Sequence, residues 1–138
     1  MKITAAVTRT AEPFAIEELE LEAPLADELV ARIAGVGLCH TDLAARDQLL
    51  PIPLPVVLGH EGAGIVEQAS DGVTGLAPGD HVVLSFASCG ACGNCHEHMP
   101  GYCESFMPLN FGGVRANGTQ ALSSGSEPAI TTETGEGG

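Results

Sequence analysis

The residues best suited to chemistry are four cysteines in the segment CGACGNCHEHMPGYC, which follow the spacing C-x2-C-x2-C-x7-C. Thiolates two residues apart can point at one centre from a tight turn, and the glycines between them allow the backbone to make such turns. Four sulfurs complete a tetrahedral shell around Zn²⁺ and leave no open position for a substrate. The spacing therefore predicts a structural zinc site that stabilises the fold, with the ligands Cys89, Cys92, Cys95 and Cys103.

Three other uses of these cysteines stay open at the level of sequence. Disulfides between neighbours at i and i+3 fit poorly in a glycine-rich loop, and nothing else in the chain is typical of a secreted protein. An iron–sulfur signature begins with the same two spacings but usually closes with a shorter gap and a proline. Here the last gap is seven residues and Glu104 follows. The cysteines could also be free thiols.

A second set of candidate residues lies upstream in two short stretches, which contain Cys39, His40, Thr41 and Asp42, and then His60 and Glu61. A thiolate and an imidazole suit Zn²⁺, and a catalytic zinc site needs three protein ligands with one position left for water or substrate. Asp42 would be the carboxylate that fixes the tautomer of a ligating histidine. The alternative is that Cys39 is a small buried apolar residue and that His60 is a hydrogen-bonded residue at a strand end.

The elements that must position these residues are mostly short strands. Period-two alternation and turn residues predict them, with a short capped helix and a stiff proline-rich connector between the third and fourth strands. Short strands separated by turns indicate a β-barrel-like domain. The predicted strands are residues 2–8, 14–21, 27–36, 59–67 and 81–86, the helix is 41–47 and the connector is 51–55.

Length and composition favour one globular domain. The chain has 138 residues, of which 44% are hydrophobic, enough for a real core. Residues 1–122 are predicted to form this domain, with the cysteine-rich lobe at 86–108. Residues 123–138 read SSGSEPAITTETGEGG, are small, polar and acidic, and predict a flexible tail.

The charge balance argues against two classes of partner. Eighteen acidic residues against five basic ones give a net charge of −13, which repels nucleic acid and anionic membrane surfaces. The N-terminus lacks the apolar region of a secretory signal, and no apolar run approaches the ~18 residues that a membrane span needs. Clustered thiols fit a reducing compartment. We therefore expect a cytoplasmic protein.

Three motifs together resemble one known family. The stretches GLCHTD at 37–42 and GHEGAG at 59–64, followed by the four-cysteine lobe, are similar in order and separation to the zinc-containing alcohol dehydrogenases of the medium-chain dehydrogenase/reductase family. The resemblance covers residues 1 to about 110. The stretches RDQ at 46–48, PIPLP and HVVLSF are most similar to the aryl or benzyl alcohol branch.

The resemblance implies a GroES-like catalytic domain, which is mainly β, a partly open β-barrel with short helices and a four-cysteine zinc lobe. It implies that Cys39 and His60 bind a catalytic zinc, and that Glu61 lies beside this metal and can exchange onto it. It further implies that Asp42 supports the histidine.

The same resemblance implies the reaction. Zinc would lower the pKa of an alcohol, Thr41 would hydrogen-bond it and pass its proton outward, and hydride would go to NAD(P)⁺. His40 would lie near the cofactor phosphates. The whole enzyme would oxidise a primary or aromatic alcohol to an aldehyde, and a homo-oligomer would be compatible with this family.

The chain also departs from the family pattern. Ala44 stands where many relatives place a relay histidine, and Ser70 stands where Gly or Ala is usual. No cysteine follows Cys103 to supply the family's third protein ligand, and Gly35-Val36-Gly37 is not a dinucleotide-binding fingerprint.

We therefore expect the N-terminal part of a zinc-dependent alcohol dehydrogenase that lacks the dinucleotide-binding Rossmann domain and is inactive alone. The alternative is a stand-alone, non-catalytic zinc-binding module. A zinc-free reductase of the superfamily is disfavoured because such proteins generally lack the lobe.

Overall fold

The computed structural model describes residues 1–9, 12–125 and 127–132, the last segment by its backbone. The prediction of a mainly-β fold with short helices is confirmed. Among the described residues, no helix is long and apolar enough to cross a bilayer. The strands are Lys2–Thr8 (β1), Ala15–Leu21 (β2), Leu29–Val36 (β3), Val56–Val57 (β4), Gly62–Ala69 (β5), His81–Val83 (β6), Leu122–Ser124 (β7) and Glu127–Thr132 (β8); the helices are His40–Arg46 (α1), Gly93–His96 (α2) and Phe106–Phe111 (α3).

Five strands form a closed ring in the order β1-β2-β7-β8-β4. All neighbours in the ring are antiparallel except β4 and β8, which run parallel. Alternation along β1 and β2 turns Val7 and Leu19 inward, where each is 1% exposed, and Leu122 of β7 joins them at 4%. This apolar cluster is the core of the barrel.

The remaining strands form a separate antiparallel sheet in the order β3-β5-β6. Close pairing of its first two strands requires glycine at position 64, because a Cβ there would lie 2.5 Å from the carbonyl oxygen of Arg32. The importance of this sheet for the site is that β3 ends and β5 begins beside the candidate ligands.

Two predicted strands are shorter than expected. The strand expected at 59–67 begins at Gly62, because Gly59 has a φ of 136° and turns the chain before pairing starts. His60 and Glu61 therefore precede the strand. The strand expected at 81–86 ends at Val83, although the Leu84 amide still donates to the Gly62 carbonyl at 2.8 Å. The next residues leave the sheet to enter the lobe.

The sequence predicts a flexible tail from residue 123 onward. That prediction is wrong for residues 123–125 and 127–132, which the structure describes. Ser123 pairs with Glu20 of β2, and the backbone of β8 pairs with both β4 and β7. These ladder hydrogen bonds hold a segment whose side chains show no apolar period. Residues 126 and 133–138 lie outside the described residues.

A second apolar cluster places the predicted helix. The helix expected at 41–47 is α1, and its buried Ala45 packs with Ile52 of the proline-rich connector and with Val56, which directly follows the connector. Phe111 of α3 packs against the same cluster. Helices α1 and α3 therefore pack against the same apolar cluster.

A buried arginine ties the loop after α3 to the chain between β2 and β3. The Arg115 side chain is 7% exposed and donates to both Glu28 carboxylate oxygens, at 2.7 and 3.0 Å. It also donates to Glu22 at 2.8 Å and to the Gln120 carbonyl at 3.2 Å. Since Glu28 immediately precedes β3, this cluster connects the ring to the three-stranded sheet.

Candidate metal centres

The four cysteines of the lobe converge on one point. Their sulfur atoms all lie within 4.8 Å of one another. The Cys92 and Cys95 sulfurs are 3.5 Å apart, and the Cys89 and Cys95 sulfurs are 4.0 Å apart. Zn–S bonds of about 2.3 Å place the sulfurs of a tetrahedron about 3.8 Å apart, so the arrangement fits zinc.

Local backbone geometry makes this convergence possible. Cys92 is the N-cap of α2, so Cys95 follows one turn later on the same helix end. Gly90 has a φ of 66°, which a residue with a side chain rarely adopts. Cys103 ends a 3₁₀ turn at Pro100–Tyr102 and is 5% exposed. Its sulfur accepts the amide of Cys89 at 3.2 Å, which joins the two ends of the lobe.

Backbone amides and burial set the acidity of the lobe thiols. The Glu104 amide, followed by that of Cys95, lowers the pKa of Cys92 to about 6. The amides of Ala91 and Cys92 lower the pKa of Cys89, whereas burial raises the pKa of Cys95 to about 11. A cysteine binds a metal ion as its thiolate, so the backbone amides that lower the pKa of Cys89 and Cys92 favour the metal-binding form of these two residues.

A second group of ligand atoms lies at the end of the three-stranded sheet. One ligand atom each of Cys39, His60 and Glu61 lies within 4.8 Å of the others. The pairing of β3 with β5 reaches Val36 and Gly62, and one more hydrogen bond of 3.1 Å joins the Gly37 amide to the Glu61 carbonyl. The sheet register therefore brings the two stretches together. A thiolate, an imidazole and a carboxylate are a ligand set that suits zinc.

Asp42 lies directly behind this group. Its side chain is 1% exposed, and one carboxylate oxygen accepts the Cys39 amide at 2.7 Å. The other oxygen lies 3.7 Å from Nδ1 of His60. Asp42 thus contacts the backbone of one candidate ligand and faces the ring of another, as a carboxylate that orients a ligating histidine would.

Thr41 and His40 differ in their relation to the group. The Thr41 hydroxyl lies 3.6 Å from the Cys39 sulfur. The Thr41 amide and then its hydroxyl lower the pKa of Cys39, with a smaller contribution from His60. His40 is exposed at the start of α1 and belongs to neither ligand group.

Glycine at position 37 leaves room for the carboxylate of the group. A Cβ built there would lie 2.1 Å from Oε2 of Glu61. Glu61 itself is exposed, so its carboxylate reaches the group from the solvent side. The GLCHTD stretch therefore contributes space as well as ligands.

Two residues beside the group are not evident from the sequence. The Phe86 ring stacks on the His60 ring, with centroids 4.9 Å apart and planes inclined by 21°. Asn110 of α3, 1% exposed, binds both backbone groups of Ala87. The signals available were an aromatic residue three positions before the first cysteine of the lobe and a polar residue in the apolar run FMPLNF.

The described residues of this barrel domain thus contain two groups of side chains that could each hold a metal ion, the four cysteines of the lobe and the group of Cys39, His60 and Glu61. The family described as alcohol dehydrogenase GroES-like domain matches residues 25–126. The chain belongs to this family.

The relatives found by sequence and by structure are alcohol dehydrogenases. Geraniol dehydrogenase of Castellaniella defragrans is 51% identical over 125 residues, which cover 90% of this chain and 33% of that protein. An alcohol dehydrogenase zinc-binding domain protein from Burkholderia ambifaria is 46% identical with a TM-score of 0.93, over 97% of this chain and 36% of that one.

Benzyl alcohol dehydrogenase from Acinetobacter calcoaceticus is 41% identical with a TM-score of 0.88, over the same 97% of this chain and 36% of that chain. This structure bears out the similarity to the benzyl alcohol branch. The chain spans about a third of the length of the curated relatives that it matches.

Proposed function

We propose that this chain is the metal-binding catalytic domain of a zinc-dependent alcohol dehydrogenase. Cys39, His60 and Glu61 hold the catalytic zinc, and the four cysteines of the lobe hold the structural zinc. The observation that carries the proposal is the convergence of the three ligand atoms within 4.8 Å. A buried carboxylate behind the histidine supports it, because Asp42 lies 3.7 Å from Nδ1 of His60.

The proposed reaction is the oxidation of a primary or aromatic alcohol to its aldehyde, with hydride transfer from the alcohol carbon to NAD(P)⁺ and release of one proton. Relatives named for geraniol and benzyl alcohol support a primary alcohol as substrate. The sequence contains no G-x-G-x-x-G motif. We therefore assign hydride transfer to a protein in which this domain acts with a dinucleotide-binding domain, and we expect no alcohol oxidation by the 138-residue chain alone.

Each residue of the second cluster has a proposed role. A bound zinc ion supplies Lewis acidity that lowers the pKa of the alcohol. Thr41, whose hydroxyl lies 3.6 Å from the Cys39 sulfur, takes up the alcohol proton on its hydroxyl oxygen as it releases its own hydroxyl proton. Ala44 has no group that could carry the released proton further, so the proton passes from Thr41 to water. Asp42 holds the ring of His60, and exposed His40 at the start of α1 is assigned to the cofactor phosphates.

The proposed setting is a cytoplasmic enzyme with a small alcohol or aldehyde as its partner, assembled as a homo-oligomer in its complete form. The net charge of −13 supports the expectation that it binds neither nucleic acid nor an anionic membrane.

Metal analysis of the chain tests this proposal. We expect one zinc to remain after exhaustive dialysis, because the lobe offers a complete local shell, and a second to bind only under excess zinc. Cys92→Ser should lose the retained zinc and lower the melting temperature, because ligand loss removes binding energy that is also folding energy.

Cys39→Ser is the matched control, since it removes a thiol from the other cluster. It should keep the retained zinc and lose the second one. If Cys39→Ser and His60→Ala take up as much zinc as the unmutated chain under excess metal, the catalytic site is refuted and the chain is a non-catalytic zinc module. If dialysed Cys92→Ser keeps its zinc and its melting temperature, the structural site is refuted.

A further inference from the structure

The imidazole of His60 is held between two groups from different elements. On the Nδ1 side it faces Asp42 of α1, at 3.7 Å. On its face it stacks against Phe86, whose centroid is 4.9 Å away. An edge contact limits where the ring can shift, whereas a stacked ring limits how its plane can rotate. The direction of the second nitrogen, Nε2, depends on that plane.

The position of Phe86 is itself fixed by its neighbour in the chain. Ala87 is 3% exposed, its amide donates to the Asn110 side-chain oxygen at 2.7 Å, and its carbonyl accepts the Asn110 amide at 3.0 Å. Asn110 also donates to the Phe106 carbonyl within α3 at 2.8 Å. The backbone beside Phe86 is therefore anchored to α3.

Two further aromatic rings support Phe86 from α3. The Phe106 ring lies 5.1 Å from it and the Phe111 ring 6.2 Å from it, both tilted. Aromatic pairs at such distances contribute beyond the apolar area that they bury. Phe86 thus contacts both the imidazole and the two rings of α3.

We propose that Phe86 is the positioning residue of His60, and that its ring fixes the imidazole plane so that His60 can ligate together with Cys39 and Glu61. The proposal rests on the metal site described under Proposed function. A stacking contact worth about 0.7–1.4 kcal/mol, within the usual range for aromatic pairs, corresponds to about threefold to tenfold in metal affinity at the second site.

Cobalt titration of the 138-residue chain with its lobe already filled by zinc tests this positioning. Cobalt bound to a thiolate gives a visible absorption band, and zinc in the lobe resists replacement because zinc binds such ligands more tightly. We expect Phe86→Leu to raise the dissociation constant for cobalt about threefold to tenfold. Phe86→Tyr, which keeps the ring, should bind cobalt as the unmutated chain does.

Phe106→Leu is the matched control because it removes a ring of the same cluster that packs against Phe86, with the centroids 5.1 Å apart. It should bind cobalt within about twofold of the unmutated chain. Equal affinity of Phe86→Leu and the unmutated chain overturns the proposal. So does an equal loss of affinity in Phe86→Tyr or in Phe106→Leu, since the stacked ring would then not be the cause.

A measurement on the unmutated chain decides the question if Phe86→Leu does not fold. Proton NMR should show cross-relaxation between the Phe86 and His60 rings, and His60 ring protons shifted upfield by the facing ring. Absence of both signals overturns the proposal. Failure of the unmutated chain to bind any cobalt refutes the metal site itself and this proposal with it, whereas cobalt binding that ignores Phe86 refutes the positioning role alone.

Discussion

Asp42 uses one buried carboxylate for two contacts that can be separated by mutation. One oxygen accepts the amide of Cys39 at the start of α1, and the other faces His60. The first contact satisfies a helix-terminal amide, and the second orients a ring.

Asp42→Ala should lower the free energy of unfolding by about 1 kcal/mol, because the helix loses its N-terminal acceptor. Asp42→Asn keeps an oxygen for the Cys39 amide and should retain most of that stability, but it removes the carboxylate that faces His60. We expect its affinity for a second metal ion to fall about tenfold. Urea denaturation and cobalt titration measure the two effects. A variant Asp42→Asn that binds the second metal normally would contradict the orienting role.

At the residue scale, the two clusters differ in how much of them is readable from sequence. The lobe is local, so cysteine spacing alone predicts all of its ligands. Cys39 and His60 meet only because β3 and β5 pair in one register, and no local pattern specifies that register. Residue types alone made Cys39 and His60 candidate zinc ligands and left a structural alternative open, and the resemblance then implied that they bind one metal. Phe86 and Asn110 act through contacts between separate segments, which a single sequence does not display.

At the scale of elements, the contact between α3 and the segment that enters the lobe depends on one amide side chain. Asn110 satisfies both backbone groups of buried Ala87. Asn110→Ala should lower the free energy of unfolding by about 1–3 kcal/mol, since it leaves a buried donor and acceptor without this partner. Denaturant unfolding of the zinc-loaded chain measures it.

The control for this prediction is Asn94→Ala. Asn94 also donates its side-chain amide to a backbone carbonyl, that of Tyr102 at 2.7 Å, but in an exposed setting. Water can replace that contact, so the variant should unfold close to the unmutated chain. Equal destabilisation of the two variants would show that burial of the Asn110 contact is not what matters.

The pairing of β3 with β5 depends on a close approach of two backbones. Gly64→Ala would place a Cβ 2.5 Å from the Arg32 carbonyl oxygen, so the strands must separate. We expect a loss of about 1–3 kcal/mol in the free energy of unfolding, together with weaker binding of a second metal ion, because this register also joins the two ligand stretches.

Gly35→Ala lies in the same strand pair and is the matched control, since no atom of the described residues, apart from the chain neighbours, lies within 4 Å of a Cβ at that position. It should change stability by less than about 0.5 kcal/mol. Thermal melting followed by circular dichroism compares the two. If Gly64→Ala and Gly35→Ala have the same melting temperature, the two strands tolerate the extra methyl group at position 64.

Two differences between the predicted and the observed elements concern the start of β5 and the segment that forms β8. The sequence predicts a strand that begins at Gly59, but the positive φ of this glycine turns the chain, and strand pairing starts only at Gly62. The segment Glu127–Thr132 was expected to be flexible because it lacks an apolar period. Its strand comes from ladder hydrogen bonds to β4 and β7, and only Ile130 and the threonines at 131 and 132 hint at it.

At the scale of the whole molecule, Arg115 is the charged link between the ring and the three-stranded sheet. Arg115→Gln should lower the free energy of unfolding by about 2–3 kcal/mol, because Glu28, 19% exposed, would lose the cation that compensates it. The loss is smaller than for a fully buried pair, since the other partner, Glu22, is 60% exposed.

Arg32→Gln is the control, because Arg32 pairs with Glu67 at 2.8 Å while both side chains face solvent. It should leave the unfolding midpoint nearly unchanged, as expected for a surface ion pair. Urea denaturation at two salt concentrations distinguishes them, since salt screens exposed pairs more than buried ones. If Arg115→Gln has the same urea unfolding midpoint as Arg32→Gln, the ion pairs of Arg115 with Glu22 and Glu28 do not stabilise the fold.

The closed ring has a consequence for the order in which the protein can form during synthesis. The three-stranded sheet and α1 are complete once residue 83 has left the ribosome. The ring must wait, because β2 borders β7 and β4 borders β8, and Arg115 meets a Glu22 that was made 93 residues earlier. Until residues 122–132 have been made, the edges of β2 and β4 that later face β7 and β8 are therefore without those partners. In that interval a nascent chain most needs protection from wrong strand pairing.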